Sequence, residues 1–152
     1  MGIFFRKGKN MKITIIGSSA FREKKVKLFD RLKELGHNPV IHPHYIESVK
    51  EGRTDIMDRI AKGEHAQLKI ENNYIMWYYN AIVESDAVLV VNLEKNGQKN
   101  YIGGNVFLEI GFAYVNRKKI FLFNSIPENV PYIDEIEAME PIILYRDLEK
   151  MG

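Results

Sequence analysis

The sequence predicts an α/β fold, a three-layer sandwich around a doubly wound, mainly parallel, five-stranded sheet of flavodoxin-like or Rossmann-like type. Two patterns carry this expectation. Short, uninterrupted apolar runs at 13–16, 87–91 and 120–123 suit strands buried on both faces. Between them lie longer stretches with apolar residues near helical spacing, such as Phe21, Leu28, Phe29, Leu32 and Leu35. Strands that alternate with helices pair in parallel through right-handed crossovers, with helices on both faces of the sheet.

Taken in order, "MKITIIGSS" gives a first strand over 11–16 that ends on a glycine and two serines, the composition of a tight turn. "FREKKVKLFDRLKELG" follows as a helix with Gly36 as its stop. "NPVIHPHY" reads as a short second strand closed by Pro43, and "DIMDRIAKGEHAQLKIENNYIMWYYNAIVES" as a long helical region broken near Gly63. "SDAVLVVNLEKNG" supplies the central strand, 87–91, flanked by Asp86 and Asn92. The polar loop "LEKNGQKNYIGG" leads into a helix over 105–116. "KKIFLFNSIP" is a further buried strand ended by Asn124 and Pro127, and "EPIILY" is the last.

The 152 residues suit a single α/β domain over 11–152, with "MGIFFRKGKN" at 1–10 as an extension outside it and Met11 as an alternative start. With 22 basic and 20 acidic residues the charge is too balanced to argue for a nucleic-acid polymer. No apolar run approaches the ~20 residues of a membrane span. The expected partner is therefore a small molecule. The absence of cysteine removes disulfide and thiolate chemistry, and with no secretory signal in the sequence the expected location is the cytoplasm.

In open α/β sheets ligands bind beyond the carboxyl ends of the strands. The residues in those places are Gly17, Ser18 and Ser19, then Asn92, then Asn124, with Gly103, Gly104 and Asn105 opening the helix that carries Glu109. "GSSAFRE" suits a phosphate or sugar hydroxyl, since glycine admits close backbone approach, a helix start presents free amides, and Arg22 adds charge. An ordinary turn with Ser18 or Ser19 as N-cap accounts for it equally well. It is neither a GxGxxG nor a Walker loop, so nothing specific to a dinucleotide or ATP follows.

Glu109 interrupts an apolar helix and shares a face with Asn105, Val106 and Ala113. A capping box places its acid three residues after the cap, whereas Glu109 is four after Asn105 and five after Gly104. The remaining plain explanation is an exposed first-turn acid, favoured by the helix dipole by ~0.3–1 kcal/mol. Turned inward instead, and kept ionised by that dipole, it has the state a nucleophile requires. The second acid in view, Asp86, opens the central strand, and strand geometry alone would leave it at the amino end. The histidine pair in "HPH" points to opposite sides of a strand unless Pro43 breaks it, so no metal site is expected. The cluster "YIMWYY" suits a core or subunit interface, or the wall of a nucleobase pocket.

Together, the "GSS" loop, "SDAVLVV" and "GGNVFLEIGFAYVNRKKIFLF" resemble the nucleoside 2-deoxyribosyltransferase-like superfamily over nearly the whole chain. The resemblance implies that Glu109 attacks the anomeric carbon and that Asp86 assists the departing base. It implies that Ser18, Ser19 and Arg22 hold a phosphate, that Asn105 orients the sugar, and that Asn92 or Asn124 contacts sugar or base. Gly17, Gly103 and Gly104 complete the site. No metal or redox cofactor is called for, and a homodimer is expected, with the neighbouring subunit completing the pocket. "GSSAFRE" looks closer to the nucleoside 5′-monophosphate N-glycosidases than to the transferases. The transferases carry an Asp six residues before the nucleophile, where this chain has Gly103, which counts against base exchange. "GGNVFLE" is distantly similar to the GGxGTxxE signature of phosphoribohydrolases, with the acid one residue early and the Gly-Thr pair missing. A non-catalytic nucleotide sensor on the same fold, or a structural subunit with Glu109 at its surface, are the readings from other classes.

Overall fold

The computed structural model describes residues 10–152, so what was expected of 1–10 falls outside the described residues except for Asn10. Strands β1 (Lys12–Ile16), β2 (Asn38–Val40), β3 (Ala87–Val90), β4 (Lys119–Leu122) and β5 (Ile142–Ile143) form one all-parallel sheet in the order β2-β1-β3-β4-β5. The chain winds outward from β1 in one direction and from β3 in the other. The crevice of an open α/β sheet forms at such a switch.

Helices cover both faces. On one, α1 (Arg22–Glu34) packs Leu28 and Leu32, with Phe21 just before it, against Ile13, Ile15, Leu89 and Phe121, and Leu144, Leu148 and Met151 join this cluster. On the other, α5 (Tyr74–Val83), α6 (Gly104–Val115) and α7 (Ile133–Ala138) pack Tyr78, Ile82, Val106, Ile110 and Ile136 against Ile16, Val88, Val90 and Leu122. Successive strand side chains point to opposite faces, so Leu89 feeds one layer and Val88 and Val90 the other. This explains why β3 carries no polar residue. Among the described residues no helix is long and apolar enough to cross a membrane.

Three segments differ from the sequence expectation. Pro43 does not close a strand running into "HPHY". β2 stops at Val40, and Pro43 takes the first turn of helix α2 (Pro43–Lys50), where its missing amide leaves no intrahelical bond unmade. His42 caps that helix, its Nδ1 accepting from the His44 amide at 3.1 Å. The long helical region resolves into α3 (Asp55–Ala61), α4 (His65–Asn72) and α5, divided at Gly63 (φ 83°), as expected, and again at Asn73 (φ 52°). Helix α7 lies in "YIDEIEAME", where the sequence reading assigned no element.

Beyond the carboxyl ends of β3 and β4, Asn92 and Asn124 fasten the two strand tips together. Asn92 is fully buried; its Nδ2 donates to the carbonyls of Asn124 (3.1 Å) and Ser125 (2.9 Å), and its Oδ1 accepts from the Asn124 amide (2.8 Å). Asn124 returns a bond from Nδ2 to the Asn92 carbonyl at 3.0 Å. Replacing one member of such a network strands its buried partners. Asn92→Leu is therefore expected to cost about 2–4 kcal/mol in urea unfolding, and a loss below about 1 kcal/mol would show that the clamp is dispensable.

Candidate functional site

A pocket of about 270 Å³ opens at the carboxyl edge of the sheet. It is close to the lower end of the range of small-molecule sites, about 300–1,000 Å³. Its polar floor is built from the loop at 17–19, the start of α6 at 103–106, and Lys95 with Tyr101 from the connection between β3 and α6. The facing wall comes from α2 to α5: Ile56, Met57, Ile60 and Leu68 supply apolar surface, Tyr45, Tyr74 and Tyr78 aromatic surface, and Lys69 a cation.

The first loop is tightly constrained. A Cβ on Gly17 would stand 2.8 Å from the Val91 carbonyl oxygen, so only glycine fits where the loop crosses β3. Ser18 caps the 3-10 turn Ser19–Phe21, its Oγ accepting from the Ala20 amide at 3.2 Å, and the same Oγ receives Lys95 Nζ at 3.3 Å. The cap and the pocket lining thus coexist in one serine. Lys95 reaches it because the chain reverses through Asn96 and Gly97, whose φ values of 50° and 82° are those of a tight hairpin turn, pairing Lys95 with Gln98.

Helix α6 begins at Gly104 with Gly103 as N-cap, which puts Glu109 beyond the first turn. Neither a capping box nor a first-turn acid describes it. Glu109 is only 5% exposed, one turn deeper than Val106 of the pocket lining. Among the described residues no side-chain hydrogen bond, and no ion pair within 4.0 Å, satisfies it. Its charge acts on Tyr45 and Tyr78, and it is acted on by Lys69, all three of which line the pocket. Glu109 is therefore a neighbour of the pocket lining without being part of it.

The cation facing it was not singled out by the sequence reading. Lys25 is 1% exposed, its Nζ donates to the Gly17 carbonyl at 2.7 Å and stands 3.6 Å from the centre of the Tyr45 ring. Burial lowers the Lys25 pKa to about 7 against the pull of Glu109, and burial raises Glu109 to about 8 against the pull of Lys25 and Lys69. The expectation that the helix dipole keeps Glu109 ionised is corrected here. Desolvation dominates, because the carboxyl lies past the turn where the dipole acts. Burial, together with Glu109, pushes the hydroxyls of Tyr45 and Tyr78 well above their ordinary value, so both stay protonated.

Of the expected site residues, Gly17, Ser18, Ser19, Gly103, Gly104 and Asn105 line the pocket. Asp86 does not come to it. It is exposed at the amino end of β3, where the parallel register sets Ala87 beside Ile13 and Lys119, and its Oδ2 accepts from the Lys12 amide at 2.8 Å. Asn92 and Asn124 are occupied by each other. Arg22 is outside the lining; its Nη1 reaches the Ser19 carbonyl at 3.5 Å. Because α2 replaces the expected strand, His42 and His44 come together, ring centres 4.4 Å apart, with His44 Nδ1 bonded to the Tyr74 hydroxyl at 2.6 Å. Burial and the neighbouring His44 lower the His42 pKa to about 4, so its ring is neutral. Among the described residues no group of three potential ligands is placed to hold a metal.

One polar atom in this region is orphaned. The Tyr78 hydroxyl is buried without a hydrogen-bond partner among the described residues, and the His42 backbone favours its ionised form. Tyr78→Phe is accordingly expected to leave stability unchanged or raise it by about 1 kcal/mol in urea unfolding. A loss above about 1 kcal/mol would mean that the hydroxyl is bonded in solution.

No protein-family model matches the chain, and no curated protein matches it in sequence. Among solved structures it is similar to the Clostridium botulinum CMP N-glycosidase BcmB, at 19% sequence identity and a TM-score of 0.44, over 92% of this chain and 94% of that one. A likeness at that level carries no argument about residues or chemistry.

Proposed function

We propose that the pocket binds a nucleoside 5′-monophosphate or a related N-glycoside and cleaves its N-glycosidic bond through a covalent Glu109 adduct. The observation that carries this reading is Glu109 itself, a carboxyl group only 5% exposed on an apolar face of α6, one turn from Val106 of the pocket lining. Structural acids are surface-exposed or paired, and a strongly shifted acid in a cleft is a candidate for chemistry.

The 17–19 loop with Lys95 is suited to a phosphate, and the aromatic and apolar wall to a planar base, with the sugar between them above α6. Glu109 attacks C1′, the C1′–N bond breaks, and its electron pair leaves with the base, which takes up a proton. Water then hydrolyses the glycosyl ester and restores the carboxylate. No step calls on a metal or redox group. Asp86 is withdrawn from the leaving-group role, because it sits at the opposite edge of the sheet.

One observation favours a second reading. Among the described residues neither Asp nor Glu lines the pocket, whereas glycosidases ordinarily work with two carboxyl groups. A nucleotide sensor that binds without turnover would need no second acid. A homodimer is part of the proposal: adjacent helices α5 and α6 leave Ile75, Met76, Leu108 and Val115 exposed, an apolar surface suited to a second copy, which sedimentation would detect.

Chromatography of a panel of nucleosides and 5′-monophosphates tests the choice. Base release by the wild type, retained in Asp86→Ala and reduced at least about 10³-fold in Glu109→Gln, is the expected outcome. Calorimetric binding without release would select the sensor. Because the ionised carboxylate is the attacking form and its pKa lies at about 8, kcat/KM should rise with pH and level off above that value. A profile flat from pH 6 to 9 would remove Glu109 from the chemical step.

A further inference from the structure

Lys25 and Glu109 are the one cation of Lys or Arg type and the one carboxyl group buried among the described residues, and they come from helices on opposite faces of the sheet. Buried charges persist only where they compensate each other or serve a task, since desolvation costs several kcal/mol per ion. Among the described residues the Lys25 ammonium has a single hydrogen-bond acceptor, the Gly17 carbonyl, and a single aromatic neighbour, Tyr45. Both of these residues line the pocket. Lys25 therefore touches the ligand loop with its donor and the pocket wall with its charge, and Glu109 is the counter-charge left to it.

We propose that Lys25 is the positioning residue of this site, one that holds the 17–19 loop through the Gly17 carbonyl and serves as the buried counter-charge of the Glu109 carboxylate. The inference rests on the glycosidase reading for its purpose, although the coupling itself is a property of the free protein. The other groups that face Glu109 are Lys69 of α4, which adds a weaker attraction, and the hydroxyls of Tyr45 and Tyr78 from α2 and α5, which remain neutral. Arg22 acts on Tyr45 rather than on Glu109. Lys25 does not itself contact the reacting atoms.

Its two tasks separate by substitution. Lys25→Gln removes the charge and retains a donor for the Gly17 carbonyl; Lys25→Met removes both at similar volume. The titration of Glu109 is read by NMR of protein labelled at the glutamate carboxyl carbon, with the signal assigned by its absence in Glu109→Gln, and urea unfolding confirms that each variant folds. Loss of a nearby opposite charge is expected to move the Glu109 midpoint to higher pH by about 1 unit or more in both variants. The rising limb of kcat/KM should move with it, so that base release at pH 7 falls about tenfold. Lys25→Arg, which keeps the charge, should restore the wild-type midpoint wherever it folds.

An unmoved Glu109 midpoint in folded Lys25→Gln and Lys25→Met would overturn the proposal, whatever happens to activity. A shifted midpoint supports it, and does so even if the wild type releases no base, in which case the glycosidase reading fails and the coupling stands. Reduced release with an unmoved midpoint and unmoved pH profile would assign Lys25 a structural role only and overturn the proposal likewise.

Discussion

Parallel register is the constraint on which the rest of this structure depends. Pairing Ile16 with Val90 and Val90 with Leu122 brings the carboxyl ends of β1, β3 and β4 to one edge at one level. The 17–19 loop then has only one place to go, across β3, where Val91 leaves no room for a side chain on Gly17. The same alignment sets Asn92 opposite Asn124 and sends Asp86 to the far edge. A one-residue slip would turn every apolar side chain of these strands to the other layer, so the register that builds the two cores also fixes which loops can meet over Glu109.

Within that frame, the pair of Lys25 and Glu109 is a local cost. A methionine at 25 and a leucine or glutamine at 109 would pack comparably without desolvating charge, and replacing buried ion pairs by apolar groups is often neutral or stabilising. Each group is shifted toward its neutral form by burial and back toward its charged form by the other. Such a balance contributes little to stability.

Much of this was legible in the sequence, and the rest was hidden for specific reasons. Runs such as 87–91 can only be buried strands, so the sheet and its two helical layers follow from apolar periodicity. The oddity of Glu109 was visible as an acid on an apolar face, though its burial required knowing that α6 starts at Gly104. Lys25 left a signal that the reading passed over: it stands four residues after Phe21, three before Leu28 and seven before Leu32, on the buried stripe of α1, yet looks ordinary among three other lysines of that segment. Pro43 was ambiguous because proline both closes strands and opens helices, and only the His42 cap decides it. Asp86 was the reverse case. The resemblance drew it toward the site, while strand polarity, already readable, placed it at the other end.

The distribution of charge around the pocket constrains any ligand and any chemistry further. Cations stand at two places, Lys95 beside Ser18 and Lys69 on α4, with the apolar side chains of α3 and the tyrosines between them. A molecule with an anionic end at the 17–19 loop and a flat body against Tyr74 and Tyr78 matches that order of charge and apolar surface. Among the described residues the wall offers no carboxyl group, so any donor it presents is imidazole, ammonium or phenol: His42, His44 bonded to Tyr74, His65 at the start of α4, Lys69 and the tyrosines.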